Sequence, residues 1–139
     1  MTRKFSLLVA LVLLCSCDRK SMTARDYDML LAKQLVMTED AWATLQTKGL
    51  TSSQSLKLDF AYLAKDKESA LKLSEYLEKE TDYEVCTYQQ GNFLKKKWFV
   101  TGATQNTSVD LDILKQWVTW MVVSGMKNDC AFDGWGTEI

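Results

Sequence analysis

The chain has 139 residues, and its 17 basic and 18 acidic residues leave a formal charge of −1 at pH 7. This length suits one domain with a single hydrophobic core. The balanced charge argues against a nucleic-acid-binding domain, which usually displays a basic face. The sequence contains no histidine, the most common general base and metal ligand, so an enzyme and a metal site are both disfavoured.

The first seventeen residues have the pattern of a bacterial lipoprotein signal peptide. Arg3 and Lys4 precede the apolar run 5–14, which is long enough for a signal peptide but short for a membrane span. The small Ser16 lies directly before Cys17, so we predict that Cys17 is acylated and becomes the new N-terminus. The alternatives are an ordinary secretory peptide cleaved nearby and a retained anchor.

All of these alternatives place residues 18–139 outside the cytoplasm. Cleavage removes two of the 17 basic residues and leaves 15 against 18 acidic ones, so the mature chain is mildly acidic. Asp18 slightly favours retention at the inner membrane over the outer one. Residues 18–37 are predicted to form a polar tether and a possible helix, and residues 38–139 the domain.

The segment from Tyr27 to Lys48 has a helical pattern, and Gly49 is placed to end the helix. Thr38 is followed by two acidic residues, a combination typical of a helix N-cap and first turn. We therefore expect either a break near Met37 or two separate helices.

The remaining pattern alternates between strands and helices. The predicted elements are a strand at 56–62, a helix at 67–80, strands at 83–88 and 97–104 joined by a hairpin, a helix from Thr107 or Ser108 to about Lys127, and a strand at 130–137. This order is the split βαβ arrangement. It predicts an α+β, ferredoxin-like fold, with an antiparallel sheet that carries helices on one face and is preceded by an N-terminal helix.

The charged clusters have structural explanations. The lysine run 95–97 lies beside Trp98, and we interpret it as the solvated start or edge of a strand. The acidic pairs Glu39/Asp40 and Asp110/Asp112 lie at helix starts, where carboxylates suit the helix dipole. No cofactor or metal is predicted.

Two cysteines, Cys86 and Cys130, remain if Cys17 carries lipid. An exported protein favours a disulfide between them. In a ferredoxin-like sheet, however, their strands form opposite edges, whereas a disulfide needs Cα atoms within about 7 Å. Both alternatives stay open, and the geometry favours two buried thiols.

The last helix has two apolar stripes, which is more than a surface helix needs. The stripes are Leu111, Leu114, Val118 and Met121, and Ile113, Trp117, Trp120 and Val123. We expect the N-terminal helix to cover the second stripe through Leu35, Trp42 and Leu45. Otherwise Trp120 and Ile113 mark a partner-binding site.

The final segment, Asp133-Gly134-Trp135-Gly136-Thr137, resembles the RraB family, whose named member is a protein inhibitor of ribonuclease E. The resemblance covers about residues 38–138. It continues upstream through residues 45–49, 58–62, Ala70, Leu77 and 83–85. It implies a protein that inhibits a partner by binding.

The glycines of this motif allow a sharp turn while Trp135 covers the edge of the core. Asp133 can accept backbone N–H groups of that turn. We therefore interpret the motif as architecture. The functional alternative is that Asp133 and Trp135 belong to a partner surface, because tryptophan is enriched at interface hot spots.

The leader and the resemblance together predict a lipid-anchored protein-binding module of the cell envelope, of the inhibitor or immunity type. Its partners are then the membrane, through the lipid, and a protein, but no nucleic acid. One alternative is a structural or adaptor lipoprotein. If the leader is not used, another is a cytoplasmic regulator similar to the ribonuclease E inhibitor.

Overall fold

A computed structural model describes residues 21–51 and 54–138. The predicted signal peptide, the start of the tether and Cys17 lie outside the described residues. The elements are α1 (Ala24–Thr47), β1 (Ser55–Leu56), β2 (Asp59–Ala64), α2 (Lys67–Glu80), β3 (Glu84–Gln90), β4 (Lys97–Ala103), β5 (Thr107–Ser108), α3 (Leu111–Lys127) and β6 (Cys130–Gly136). None of the helices in the described ranges is long and apolar enough to cross a bilayer.

The main sheet has four antiparallel strands in the order β3-β4-β2-β6. The two helices that follow β2 and β4, α2 and α3, pack on the same face of this sheet. The order and the one-sided helices confirm the predicted α+β, ferredoxin-like fold with a preceding N-terminal helix. β1 and β5 form a separate two-stranded sheet.

The core between the helices and the sheet is centred on Tyr62, which is completely buried. Its hydroxyl donates a hydrogen bond to the Met121 carbonyl at 2.7 Å, and burial raises its pKa far above the usual value. Its ring meets Phe132 edge to face at 5.2 Å. Gly125 lets α3 approach closely, since a Cβ there would lie 2.7 Å from the Tyr62 ring.

Both ends of α1 have well-formed caps. Thr23 and Asp26 form a capping box, in which each side chain accepts a hydrogen bond from the other's backbone N–H. These bonds lower the pKa of Asp26. At the other end Gly49 has a φ of +102°, the left-handed conformation that commonly follows a helix. The predicted role of Gly49 is confirmed.

The expected break near Met37 is wrong, because α1 runs without interruption through this position. Thr38 is buried in the middle of the helix, and its hydroxyl accepts a hydrogen bond from the Trp135 indole N–H at 3.0 Å. The hydroxyl therefore serves a contact with β6 instead of starting a new helix.

α1 covers the free edge of β6. The Tyr27 hydroxyl donates to the Cys130 carbonyl at 3.5 Å, and the Gln34 amide donates to the Phe132 carbonyl at 3.3 Å. Gln34 is only 4% exposed, so its amide is committed to the strand. A sheet edge presents unpaired backbone groups, and a covering helix is one way to protect them.

Two predicted boundaries change for local reasons. The cap of α3 is Asp110, whose carboxylate accepts from the Ile113 N–H at 2.8 Å, while Thr107 and Ser108 pair with β1. The predicted strand at 56–62 is divided into β1 and β2, because the backbone N–H of Leu58 bonds to the Thr104 hydroxyl at 3.1 Å.

β6 contains a bulge at Asp133. Ala61 pairs with Gly134 and the next residue, Tyr62, pairs with Phe132, so Asp133 is an extra residue in the strand. Gly134 has a φ of +145°, and a Cβ added there would meet no atom within 4 Å. The glycine is thus required by the backbone conformation and not by lack of space.

We predict that Gly134→Ala lowers the free energy of unfolding by about 1–3 kcal/mol, the usual cost of a strained backbone conformation. Gly136→Ala is the matched control, because Gly136 also has open space around it but no positive φ. Urea unfolding of both variants measures the difference. Equal effects at the two positions would contradict the bulge geometry.

Candidate functional site

The four residues predicted for partner binding lie on two elements. Ile113 and Trp120 are on α3, and Asp133 and Trp135 are on β6. The two tryptophans face different helices, because Trp120 contacts α2 and Trp135 contacts α1. The structure therefore does not join these indoles in one exposed patch.

The second stripe of α3 is covered at its tryptophans by α2 and the segment after it. Trp120 stacks on Tyr76 at 6.3 Å, and the Trp117 indole N–H donates to the Tyr83 hydroxyl at 3.0 Å. Burial raises the pKa of Tyr83, although the bond from Trp117 opposes this shift. At Trp120 the contact found is with α2 and not with the expected N-terminal helix, whereas Trp117 also packs against the cluster that contains Trp42 of α1. Ile113 remains 45% exposed.

Trp135 links β6 to α1. Its indole is half-buried, packs against both hydrophobic clusters of the domain and donates to Thr38. Asp133 is exposed at the bulge, and among the described residues its carboxylate has no hydrogen-bond partner. The expected bonds from Asp133 to the backbone of the turn are therefore not formed.

None of the described residues covers the face of the sheet opposite the helices, and we call it the open face. One row across all four strands consists of Tyr88, Phe99, Leu63 and Ala131. Tyr88 and Phe99 stack at 5.3 Å with an angle of 17° between their rings. Tyr88 is 42% exposed and Leu63 is 38% exposed. The row is an apolar strip that this chain leaves accessible.

A shallow depression of about 380 Å³ lies at the other end of the open face, beside Gly102. Asp59, Glu84 and Cys86 contribute to its lining. Gly102 allows β3 and β4 to approach closely, since a Cβ there would lie 2.0 Å from the Glu84 carbonyl oxygen. Glu84 forms an exposed ion pair with Lys57 at 4.0 Å, which contributes little stability. This end of the open face is acidic.

The two cysteines among the described residues, Cys86 and Cys130, are free, and they differ in exposure. Cys130 is buried, and burial raises the pKa of its thiol to about 12, with a smaller contribution from Asp129. Cys86 is exposed on the open face, so the prediction of two buried thiols is wrong for this residue. As expected, β3 and β6 are opposite edges of the sheet, which keeps the thiols apart.

The described part of the chain contains no group of three or more acidic, cysteine or histidine residues that could hold a metal ion. It also leaves no buried side-chain nitrogen or oxygen without a hydrogen bond. The features that folding does not explain are the exposed surfaces described above.

The open face was missed by the sequence analysis, although a signal for it exists. Residues 60–64 and 98–100 are almost continuously apolar. A strand with only one buried face should alternate, whereas a continuous apolar run places apolar side chains on both faces. The outward residues Leu63 and Phe99 could have been identified in this way.

A comparison with protein families matches residues 36–137 to the model described as regulator of ribonuclease activity B. The chain belongs to the RraB family. A comparison with curated proteins finds no match. The family model spans the open face, both tryptophans and the bulge, and it suggests a regulatory role exercised by binding a protein.

We predict that Trp135→Ala lowers the free energy of unfolding by about 3 kcal/mol, as for other large aromatic truncations. The indole contacts two clusters and Thr38, so its loss removes packing and a hydrogen bond together. Ile113→Ala is the control and should change stability little, because this side chain is 45% exposed. An unchanged melting temperature for Trp135→Ala would instead make 133–137 a partner surface.

Proposed function

We propose that this RraB family member is a lipid-anchored protein of the cell envelope that inhibits a partner protein by binding it through the open face. The observation that carries the proposal is the stacked pair Tyr88 and Phe99 on the open face of a domain from a family of regulators, in which Tyr88 is 42% exposed. The proposed action is non-enzymatic.

The open face has the composition of a binding surface. Aromatic residues are enriched at the centres of protein interfaces, where they provide most of the binding energy. Tyr88, Phe99 and Leu63 supply such an apolar centre, and Asp59 and Glu84 lie at one end of the same face. The matching partner therefore carries an apolar patch with basic residues beside it.

The leader determines which partners the protein can meet. Ribonuclease E is cytoplasmic, whereas a chain exported by residues 1–17 would lie on the other side of the inner membrane. An exported family member would then inhibit a protein of the periplasm, as an immunity protein neutralises an incoming toxin. This partner class is a proposal that follows from the leader, since the family alone supports only protein binding.

The family favours a second candidate function. If the leader is not cleaved or used, the chain would remain in the cytoplasm and regulate ribonuclease E, as the family description suggests. A structural or adaptor lipoprotein is a third possibility, in which the open face joins envelope proteins without inhibiting them.

We predict that Cys17 carries the lipid. Metabolic labelling with a palmitate analogue should mark the wild-type protein and not Cys17→Ser. Cys86→Ser is the control and should be labelled like the wild type, because this cysteine lies on β3 within the folded domain. Equal labelling of wild type and Cys17→Ser would refute the anchor.

We also predict that the open face holds the partner. Replacing Leu63 and Tyr88 by serine should reduce the partner captured from cross-linked cell envelopes at least about tenfold, the loss expected for an interface hot spot. Leu71→Ser is the control, because Leu71 is 51% exposed on α2.

The same variants distinguish the alternatives. Inhibition of purified ribonuclease E by residues 18–139 would support the cytoplasmic regulator. Capture of the same partner at wild-type levels by the Leu63/Tyr88 variant would show that the open face is not the binding surface.

A further inference from the structure

The hairpin between β3 and β4 ends in two apolar residues that the fold does not use. Phe93 and Leu94 are each 86% exposed, the highest values among the large apolar side chains in the described ranges. We call residues 91–96 the tip. A loop tip normally carries polar residues, so two almost fully exposed apolar side chains suggest a contact with another molecule.

The tip has a defined conformation. The Asn92 carboxamide oxygen accepts hydrogen bonds from the backbone N–H groups of Leu94 and Lys95, both at 3.2 Å. Gly91 has a φ of +106°, and a Cβ there would lie 2.0 Å from the Lys95 carbonyl oxygen. Phe93 and Leu94 are therefore held outward by the turn.

Basic residues surround the tip. Lys95, Lys96 and Lys97 follow the apolar pair directly, and the Lys96 ammonium lies 5.7 Å from the centre of the Phe93 ring. At the start of α2 the Lys67 ammonium lies 5.5 Å from the centre of the Trp98 ring. The acidic depression described above lies at the opposite end of the strands. The tip itself is thus basic.

The N-terminus of α1 lies at the same end. Ala64 pairs with Trp98 on one side and with Cys130 on the other, and the Tyr27 hydroxyl bonds to the Cys130 carbonyl at 3.5 Å. The end of the sheet that carries the tip is therefore also the end at which α1 begins. Six residues, 18–23, separate Cys17 from α1, and they span at most about 20 Å when extended.

We propose that the tip is a second membrane contact, in which Phe93 and Leu94 enter the interface of an anionic phospholipid bilayer while Lys95, Lys96 and Lys97 bind its headgroups. The tip and the beginning of α1 lie at the same end of the domain, so a lipid on Cys17 would hold the tip close to a bilayer. This choice of a bilayer as the binding partner rests on the lipid anchor proposed above. The lysine charges add support that does not depend on the anchor, because basic residues next to apolar ones bind anionic bilayers.

The test uses residues 18–139, which contain every helix and strand described, so no attached lipid contributes to binding. Flotation with vesicles of phosphatidylglycerol and phosphatidylcholine is compared with flotation on phosphatidylcholine alone. At low salt we expect binding to the anionic vesicles to be at least about tenfold stronger, since each lysine near such a surface contributes.

Matched variants distinguish binding through the tip from nonspecific binding to vesicles. Replacing Phe93 and Leu94 by serine, or Lys95, Lys96 and Lys97 by glutamine, should abolish the binding. Val36 and Met37 form an adjacent exposed apolar pair on α1, and their double serine variant should bind normally. The control for charge replaces Lys48, Lys57 and Lys79, which are exposed near the opposite end, by glutamine. Circular dichroism checks that each variant is folded.

The results distinguish failure of the tip from failure of the anchor. Tip-dependent flotation supports the proposal even if Cys17 proves to carry no lipid. Absence of flotation, equal binding to both kinds of vesicle, or loss of binding in the control variants as well overturns it, even if Cys17 is acylated.

Discussion

The contact between α1 and the free edge of β6 is the constraint on which the rest of the domain depends. Tyr27 and Gln34 satisfy carbonyl groups of the edge strand, and Thr38 accepts the indole N–H of Trp135. An uncovered edge would offer a template for pairing with other chains. By closing this edge, α1 also fixes where the N-terminal segment meets the domain. The position of the proposed anchor is therefore a consequence of how the sheet is protected.

The two faces of the sheet have different roles, since the helical face supplies the core and the open face is the proposed binding surface. Tyr62 and its neighbours supply the core on the helical face, where every large side chain has packing partners. On the open face Tyr88 stacks on Phe99, its neighbour across the strands, and remains partly exposed. Substitutions on the first face should act through stability, whereas those on the open face should act through affinity. This separation makes the open face suitable for a regulator, since residues on this face can change to match a partner without destabilising the fold.

Local patterns predicted most of the elements, and long-range contacts decided what those patterns missed. The bounds of α2 were predicted correctly because its apolar period is clear, and the structure adds a cap at Asp66. The break at Met37 was wrong because the partner of Thr38 is Trp135, 97 residues away. Which helix covers Trp120 likewise depends on a contact with Tyr76 that no local period shows. For the candidate site, sequence identified the family motif but not the open face, because exposure depends on where the helices pack.

In the proposed arrangement the tip and the open face act at the same time because they point in different directions. The tip extends beyond the ends of β3 and β4, so contact of the tip with a bilayer would set these strands upright on the membrane. The open face then stands to the side of the domain and remains accessible to a partner. Its acidic end, with Asp59 and Glu84, lies farther from the anionic headgroups than the tip does. In the proposed orientation the membrane would attract the tip and would leave the end with Asp59 and Glu84 free to attract a basic partner from solution.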